Sequence, residues 1–345
     1  PITMATDLLK PGGYLRLKQI AEKLTNLHQN NESISLNKLN LLANDALENS
    51  DYFKDIKPEK PMKISQQLPL FDCFIAPCKI GCPINQDIPE YIRLVGKKRF
   101  KEAFELIISK NPLPFITGYI CDHNCTIKCV RNDYEEPILI REMKKIAAEN
   151  GYQKFIQNFQ NTAVKNGVKI AVIGAGPAGL SSAYFLGKNG FDVTIFDKAE
   201  KIGGTVTNII PEFRIPKIAI ENDVNFIRNF TKFEMNCNEN LNLEELKSQN
   251  FKYVILAIGT GKSRILNIET DQNKIIDAIT FLKNFKKSII NLGKNVAIIG
   301  GGNSAMDAAR AAKKVKNIDS VYIVYRRTIS EMPADKEELD FALQD

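Results

Sequence analysis

The sequence predicts an α/β protein in which a helical, cysteine-rich segment precedes two strand–helix–strand units. Three observations carry this. Six of the seven cysteines fall between residues 70 and 160, among stretches of helical period. A β-rich apolar run, Val168–Ile173, leads straight into Gly174-Ala175-Gly176-Pro177-Ala178-Gly179. A second run, Asn295–Ile299, leads into Gly300-Gly301-Gly302-Asn303-Ser304-Ala305. Each glycine turn is followed by an apolar-faced helix and another strand, the signature of a Rossmann-like βαβ unit.

In chain order, residues 1 to 20 read as a strand, the loop Lys10-Pro11-Gly12-Gly13 and a helix start, one βα unit too small to bury a core alone. Residues 21 to 69 read as a polar, helical connection ending in Lys57-Pro58-Glu59-Lys60-Pro61. The cysteine-rich helical domain is expected over 70–160, the first dinucleotide-binding domain over 161–290, and the start of a second over 291–345. The chain lacks an initiator methionine and stops at Phe341–Asp345 inside a helical pattern, so it reads as a piece of a longer protein.

Length and composition set bounds. At 345 residues, with 44% hydrophobic and 25% charged side chains, the chain has room for two or three domains of ordinary globular make-up. The net charge of +7 is spread along helix-like segments and interleaved with Glu and Asp, without the basic stripe and aromatic interleaving that nucleic acid requires. No run reaches the 18 or so apolar residues of a membrane span, and no basic-then-apolar export signal opens the chain. A cytoplasmic location follows as the expectation.

In a reducing compartment, dense cysteine argues for metal before disulfides. The clusters are Cys73-x4-Cys78-x3-Cys82-Pro83 and Cys121-x3-Cys125-x3-Cys129. A Cys-x3-Cys-Pro ending is the pattern of ferredoxin-type runs, which favours iron–sulphur ligation over zinc or a metal-free domain. The second trio stands one helical turn apart if its segment is helical. Cys237 is alone and reads as a small buried hydrophobe.

At the first glycine turn, Gly174 permits the tight bend, Gly176 admits a pyrophosphate to bare backbone, and Gly179 lets helix and strand pack closely. Ala175, Pro177 and Ala178 complete the loop, whose freed N–H groups face the diphosphate. Asp197 ends the next strand, where a carboxylate accepts ribose hydroxyls. Downstream come Gly203-Gly204-Thr205, then Pro211-Glu212-Phe213-Arg214-Ile215-Pro216. Tyr253–Ala257 reads as a buried strand ending in Ile258-Gly259-Thr260-Gly261. Together these resemble the FAD domain of two-dinucleotide-binding flavoproteins, which implies that Gly204, Thr205, Arg214, Gly259 and Thr260 border the cofactor. For Arg214 the alternative is an ordinary surface cation.

The second turn has Ala305 at its third position, which loosens helix packing slightly. Its following strand, Val321–Tyr325, ends in Arg326-Arg327 where an acid would stand for NADH. Paired guanidiniums bind a 2′-phosphate, so Gly300, Gly301, Gly302, Asn303, Ser304, Arg326 and Arg327 are expected to hold NADPH, unless the arginines merely cap a solvated strand. Two nucleotide sites in series imply hydride transfer from nicotinamide to flavin, for which juxtaposed rings matter more than a catalytic acid. His28 and His123 sit in no nucleophile setting, and no general base is nominated.

From about residue 65 onward these motifs resemble the family of the glutamate synthase small subunit and the N-terminal flavoprotein part of dihydropyrimidine dehydrogenase. Pro1–Tyr14 resembles the last βα unit of the barrel that precedes this module in selenate-reductase iron–sulphur subunits, and Cys78–Pro83 with Asp87–Leu94 is similar to the same group. The resemblance implies FAD, NADPH and one or two [4Fe–4S] clusters, with Cys73, Cys78 and Cys129 on one and Cys82, Cys121 and Cys125 on the other. Leu70 stands where the family has a further cysteine, and Lys144 where it has a Glu or Gln ligand. It also implies electron flow from NADPH through FAD and the clusters to a partner subunit or domain, such as a molybdenum-containing reductase acting on selenate. A glutamate synthase small subunit, or a non-catalytic scaffold with degenerate cluster sites, are the alternative functions.

Overall fold

The computed structural model describes residues 75–237, 242–261, 263 and 274–345, with scattered positions between 18 and 45. The expectations for 1–20, for Leu70 and Cys73, and for most of 21–69 therefore lie outside the described residues. The chain divides into two compact units, Pro1–Met62 and Lys63–Asp345. In the first, helical positions are described at Lys18 and Glu22, whose side chains approach to 3.8 Å.

The second unit opens with helices α1 (Pro77–Gly81), α2 (Ile88–Gly96), α3 (Phe100–Ile108), α4 (Pro114–Ile120), α5 (Asn124–Ile127) and α6 (Ile140–Ile156). Apolar residues at helical spacing explain them. Ile88, Tyr91, Leu94 and Val95 form one stripe of α2, and Ala103, Phe104, Ile107 and Ile108 one stripe of α3. Pro89 and Pro114 pre-set the first turns of α2 and α4. Cys121 and Cys129 have extended backbone on either side of the four-residue α5, so the second cysteine trio does not lie along one helix. His123, in the left-handed region, breaks the run between Cys121 and α5.

Next come β1 (Lys169–Ile173), α7 (Pro177–Lys188), β2 (Asp192–Phe196), α8 (Thr205–Asn208), α9 (Lys217–Ile227), β3 (Thr231–Glu234), α10 (Leu243–Ser248) and β4 (Phe251–Leu256). The strands form a parallel sheet in the order β3-β2-β1-β4. The centre of β1 is buried, as a strand covered on both faces must be. Among the described residues β4 lies at one edge of the sheet, which corrects the expectation of a buried strand. Tyr253 and Leu256 are exposed, Leu256 by 71%. The chain then adds α11 (Ala278–Lys286), β5 (Asn295–Ile299), α12 (Asn303–Lys313), β6 (Ser320–Val324) and α13 (Lys336–Gln344). β5 and β6 pair in parallel as a separate two-stranded sheet. Its helices bury Phe281, Leu282, Ala308, Ala311 and Ala312 against the inward side of β5.

The helical part and the first α/β module share one core. Phe104 and Phe155 of the helical part meet Phe226 of α9 edge-on, at centroid distances of 6.1 and 5.9 Å. Tyr184 of α7 packs at 4.8 Å on Phe230 and donates its hydroxyl to the Ile108 carbonyl at 2.8 Å. Each such buried ring contributes roughly 1.5–3 kcal/mol. Asp223 of α9, fully buried, accepts the N–H groups of Phe115 (3.2 Å) and Ile116 (2.7 Å), satisfying the otherwise orphaned start of α4.

Candidate functional site

The first glycine turn is held from three sides. Gly174 has φ +113°, a region costly to any side chain, and a Cβ there would overlap the Ala257 carbonyl at the end of β4. A Cβ on Gly179 would overlap the Gly174 carbonyl, so the helix is packed directly on its own turn. Gly176 is different: its Cβ would meet nothing nearer than Gly204 Cα at 3.8 Å. Packing leaves that face open, as a pyrophosphate approach requires. Gly203 N–H donates to the Ala175 carbonyl at 2.8 Å, bringing Gly204 and Thr205 beside the turn. Asp197 accepts the Ala175 N–H at 2.6 Å and the Ala199 N–H at 2.7 Å. Each oxygen keeps a second acceptor position for a hydroxyl. Pro177 begins α7 and Ala178 is exposed beside it. Gly259 and Thr260 follow β4 on the exposed side.

Around the second turn, Gly301 lies against the Tyr325 ring, and its carbonyl accepts the Ala334 N–H at 3.0 Å. Asn303 exchanges two hydrogen bonds with Asp335, through its side-chain amide at 3.0 Å and from the Asp335 N–H at 2.8 Å. A Cβ on Gly302 would meet nothing within 4 Å, and Ser304 is exposed. Arg326 and Arg327 are exposed just past β6 and pair with no carboxylate among the described residues, leaving both forks available to an anion.

Arg214 meets a competing arrangement to the cofactor contact expected of it. Its Nη1 lies 2.9 Å from Asp307 and its Nε 3.0 Å from Glu338, both on the helices of the second module. Burial pushes both carboxyls up from their ordinary range, against the pull of Arg214. The signal was absent from the sequence because the partners lie far along the chain.

In the helical part, α1 and α5 bring the two cysteine segments together. Gly81 packs so closely on Lys128 that a Cβ would sit 2.9 Å from its Cγ. Cys78 lies within electrostatic reach of Cys129 and Cys82, and Cys125 within reach of Cys121 and Cys82, so Cys82 is common to both sets. Burial pushes the Cys125 thiol up to about 11, and burial chiefly raises the Tyr91 hydroxyl, which also feels Cys125, Cys82, Cys121 and Cys78. Among the described residues no three Cys, His, Asp or Glu side chains close on one point, as a single metal ion would need. The donors the two segments offer are all sulphur, the chemistry of iron–sulphur ligation, in which each thiolate takes a separate iron. His123 turns its ring to the Cys121 carbonyl at 3.0 Å. Cys237, half-buried, lies apart near Glu234.

Residues 168–345, just over half of the chain, match the pyridine nucleotide–disulphide oxidoreductase family. The chain belongs to this family. Ahead of that match, residues 54–168 correspond to dihydropyrimidine dehydrogenase domain II, a 4Fe–4S cluster domain, and residues 1–54 to the N-terminal TIM-barrel domain of the oxidoreductase YgfK. Among curated relatives, YgfK of Escherichia coli K12 is 46% identical over all of this chain and 34% of its own length. The NADPH–Fe(3+) oxidoreductase subunit beta of Geobacter sulfurreducens is 31% identical over 79% of this chain and 42% of its own. The NADP(+)-dependent formate dehydrogenase subunit beta of Moorella thermoacetica is 31% identical over 76% and 41%. The chain thus spans about a third to two-fifths of these relatives. FAD, NADPH and [4Fe–4S] are the cofactors this pyridine nucleotide–disulphide oxidoreductase and its 4Fe–4S domain use. Among the described residues no helix is long and apolar enough to cross a membrane.

Proposed function

We propose that this chain is the NADPH-oxidising, electron-relaying part of a cytoplasmic iron–sulphur flavoprotein, delivering electrons to a partner subunit or domain. The shared core between the cysteine-bearing helices and the first glycine turn carries the reading, because it fixes a redox domain beside a dinucleotide site. A bound flavin would supply hydride acceptance from a nicotinamide and onward one-electron donation. The chain's own residues bind and orient. Gly174, Gly176 and Gly179 shape the pyrophosphate cradle and Asp197 accepts from the ribose. Arg326 and Arg327 take the 2′-phosphate, while Cys78 and Cys129 (with Cys73), and Cys82, Cys121 and Cys125, hold the clusters.

Relatives named as β subunits support a partner. The sequence resemblance supports a molybdenum-containing reductase acting on selenate as that partner. The test is the full-length protein prepared anaerobically, with iron, sulphide and flavin assayed before NADPH is added. The reading expects bound flavin that bleaches with NADPH and is reoxidised by selenate only when the partner is present. Flavin that NADPH leaves oxidised would reduce the chain to a scaffold. Reoxidation by 2-oxoglutarate and glutamine with an amidotransferase partner would assign it to glutamate synthesis.

A further inference from the structure

Pro211–Ile215 turns tightly between α8 and α9, with the N–H groups of Arg214 and Ile215 donating to the Pro211 carbonyl at 3.0 and 3.3 Å. Val206 before the turn and Ile215 at its end are buried in the core of the first module, which gives the segment a rigid mount. Its other side meets the second module. Ile209 and Phe213 pack on the cluster around Phe281 and Ala308. The Ile210 carbonyl accepts Lys286 Nζ of α11 at 2.7 Å, and the Arg310 guanidinium of α12 lies over the Phe213 ring at 4.4 Å. Arg214 then reaches Asp307 of α12 at 2.9 Å and Glu338 of α13 at 3.0 Å, all three side chains a tenth or less exposed. The second oxygen of Glu338 is buried without a hydrogen bond, 3.8 Å from Arg310 Nη1. Buried ion pairs add little to adhesion, because removing charges from water offsets most of their attraction. They supply direction: a guanidinium fork meets carboxylates in few orientations, and a misaligned partner leaves a charge buried and unpaired.

We propose that Arg214 is a positioning residue for hydride transfer: by bridging Asp307 and Glu338 it fixes the second module on the first in the one orientation that lets a nicotinamide held by one reach a flavin held by the other. The inference rests on the two-nucleotide reading given above. In that step NADPH loses a hydride and becomes NADP+, and the flavin gains its two electrons. Such a transfer tolerates little displacement, since an error of about 1 Å slows a reaction of positioned partners by up to about a hundredfold. The turn that carries Arg214 follows α8, which starts at Thr205 beside the first glycine turn, so the orientation is set relative to the flavin's own cradle. Glu337, next to Glu338, pairs with Arg141 of α6 and ties the start of α13 to the cysteine-bearing helices as well.

The experiment is anaerobic stopped-flow reduction of the flavin-loaded full-length protein by NADPH, with hydrogen exchange over 209–215 and α13 measured in parallel. Wild type is compared with Arg214→Met, with Arg214→Lys, and with Asp307→Asn combined with Glu338→Gln, which keeps the guanidinium and removes both its partners' charges. The expected result is unchanged flavin content and NADPH affinity, faster exchange in both segments, and a limiting reduction rate lowered roughly ten- to a hundredfold in Arg214→Met and in the double variant. Arg214→Lys should recover part of that rate. Faster exchange with the limiting rate unmoved would make the bridge merely structural and overturn the proposal. A rate lost in Arg214→Met but kept in the double variant would also overturn it, because the guanidinium would then act on the flavin directly. Should Arg214→Met lose flavin or fail to fold, the double variant decides by the same rate. Wild-type flavin that NADPH leaves oxidised would instead bring down the functional reading, a separate failure seen before any variant is made.

Discussion

The two glycine turns share a motif and differ in how tightly they are built. The first follows a strand whose centre is buried and is locked by the Ala257 carbonyl, the Asp197 carboxylate and the direct packing of α7. The second follows a strand with Ile299 56% exposed, carries Ala305 where the first has Gly179, and leaves space around Gly302. Spacing of glycines therefore does not say which one the packing demands. In the first turn Gly174 and Gly179 are demanded by the fold while packing leaves Gly176 open. In the second, Gly300 is demanded by its φ of +137° and Gly301 by the Tyr325 ring, while Gly302 has open space.

The largest expected effect tests that difference directly. Gly179→Ala forces a Cβ into a main-chain oxygen and should cost about 3 kcal/mol or more in urea unfolding, whereas Ala305→Gly should cost about 1 kcal/mol or less. Equal costs would remove the contrast. Next, Gly176→Val should lose FAD on purification while the flavin-free protein melts as the wild type does. A variant that kept stoichiometric flavin would move the first site elsewhere. Third, replacing Arg326 and Arg327 together with Ala should lower kcat/KM for NADPH roughly ten- to a hundredfold, the equivalent of about 1.5–3 kcal/mol of charge-assisted contact, with NADH nearly unaffected. Parallel losses for both nucleotides would take the 2′-phosphate away from the pair.

The smallest effect concerns pH and the second module alone. Burial raises the Asp307 and Glu338 carboxyls, so the folded state keeps their protons at a pH where the unfolded chain has released them. Their contribution is present below the ordinary carboxylate range and is lost as pH climbs through the raised values. Asp307→Asn with Glu338→Gln should flatten that part of the stability–pH curve, measured by hydrogen exchange in α12 and α13. An unchanged slope would show that Arg214 fully offsets the burial.

Much of this was legible in the sequence. β1 and β2 begin and end within a residue of their apolar runs, because a buried parallel strand needs an unbroken apolar stretch and the glycine turn ends it sharply. The cysteine spacing marked which segments carry the sulphurs but left their backbone open: His123 in the left-handed region and extended residues at Cys121 and Cys129 show that the second trio does not run along one helix. Exposure at Tyr253 and Leu256 was hidden, since strand order is set by long-range pairing. Arg214 looked like a cofactor cation because its partners come from helices some hundred residues later. The burial of Lys144 did leave a trace. Ile140, Ala147, Ala148 and Gly151 recur at helical spacing around it, so a lysine on that stripe had to be buried.

The rings of Phe104, Phe155, Tyr184, Phe226 and Phe230 belong at once to the cysteine-bearing helices and to the first α/β module, and Asp223 ties the same two parts through backbone. The helices also bury a cluster of their own around Ile88, Tyr91 and Ile107, but their aromatic side is completed only by the first α/β module. Heating should therefore melt them in one cooperative step instead of two, and a genetic exchange that carried one without the other would expose a large aromatic face to water.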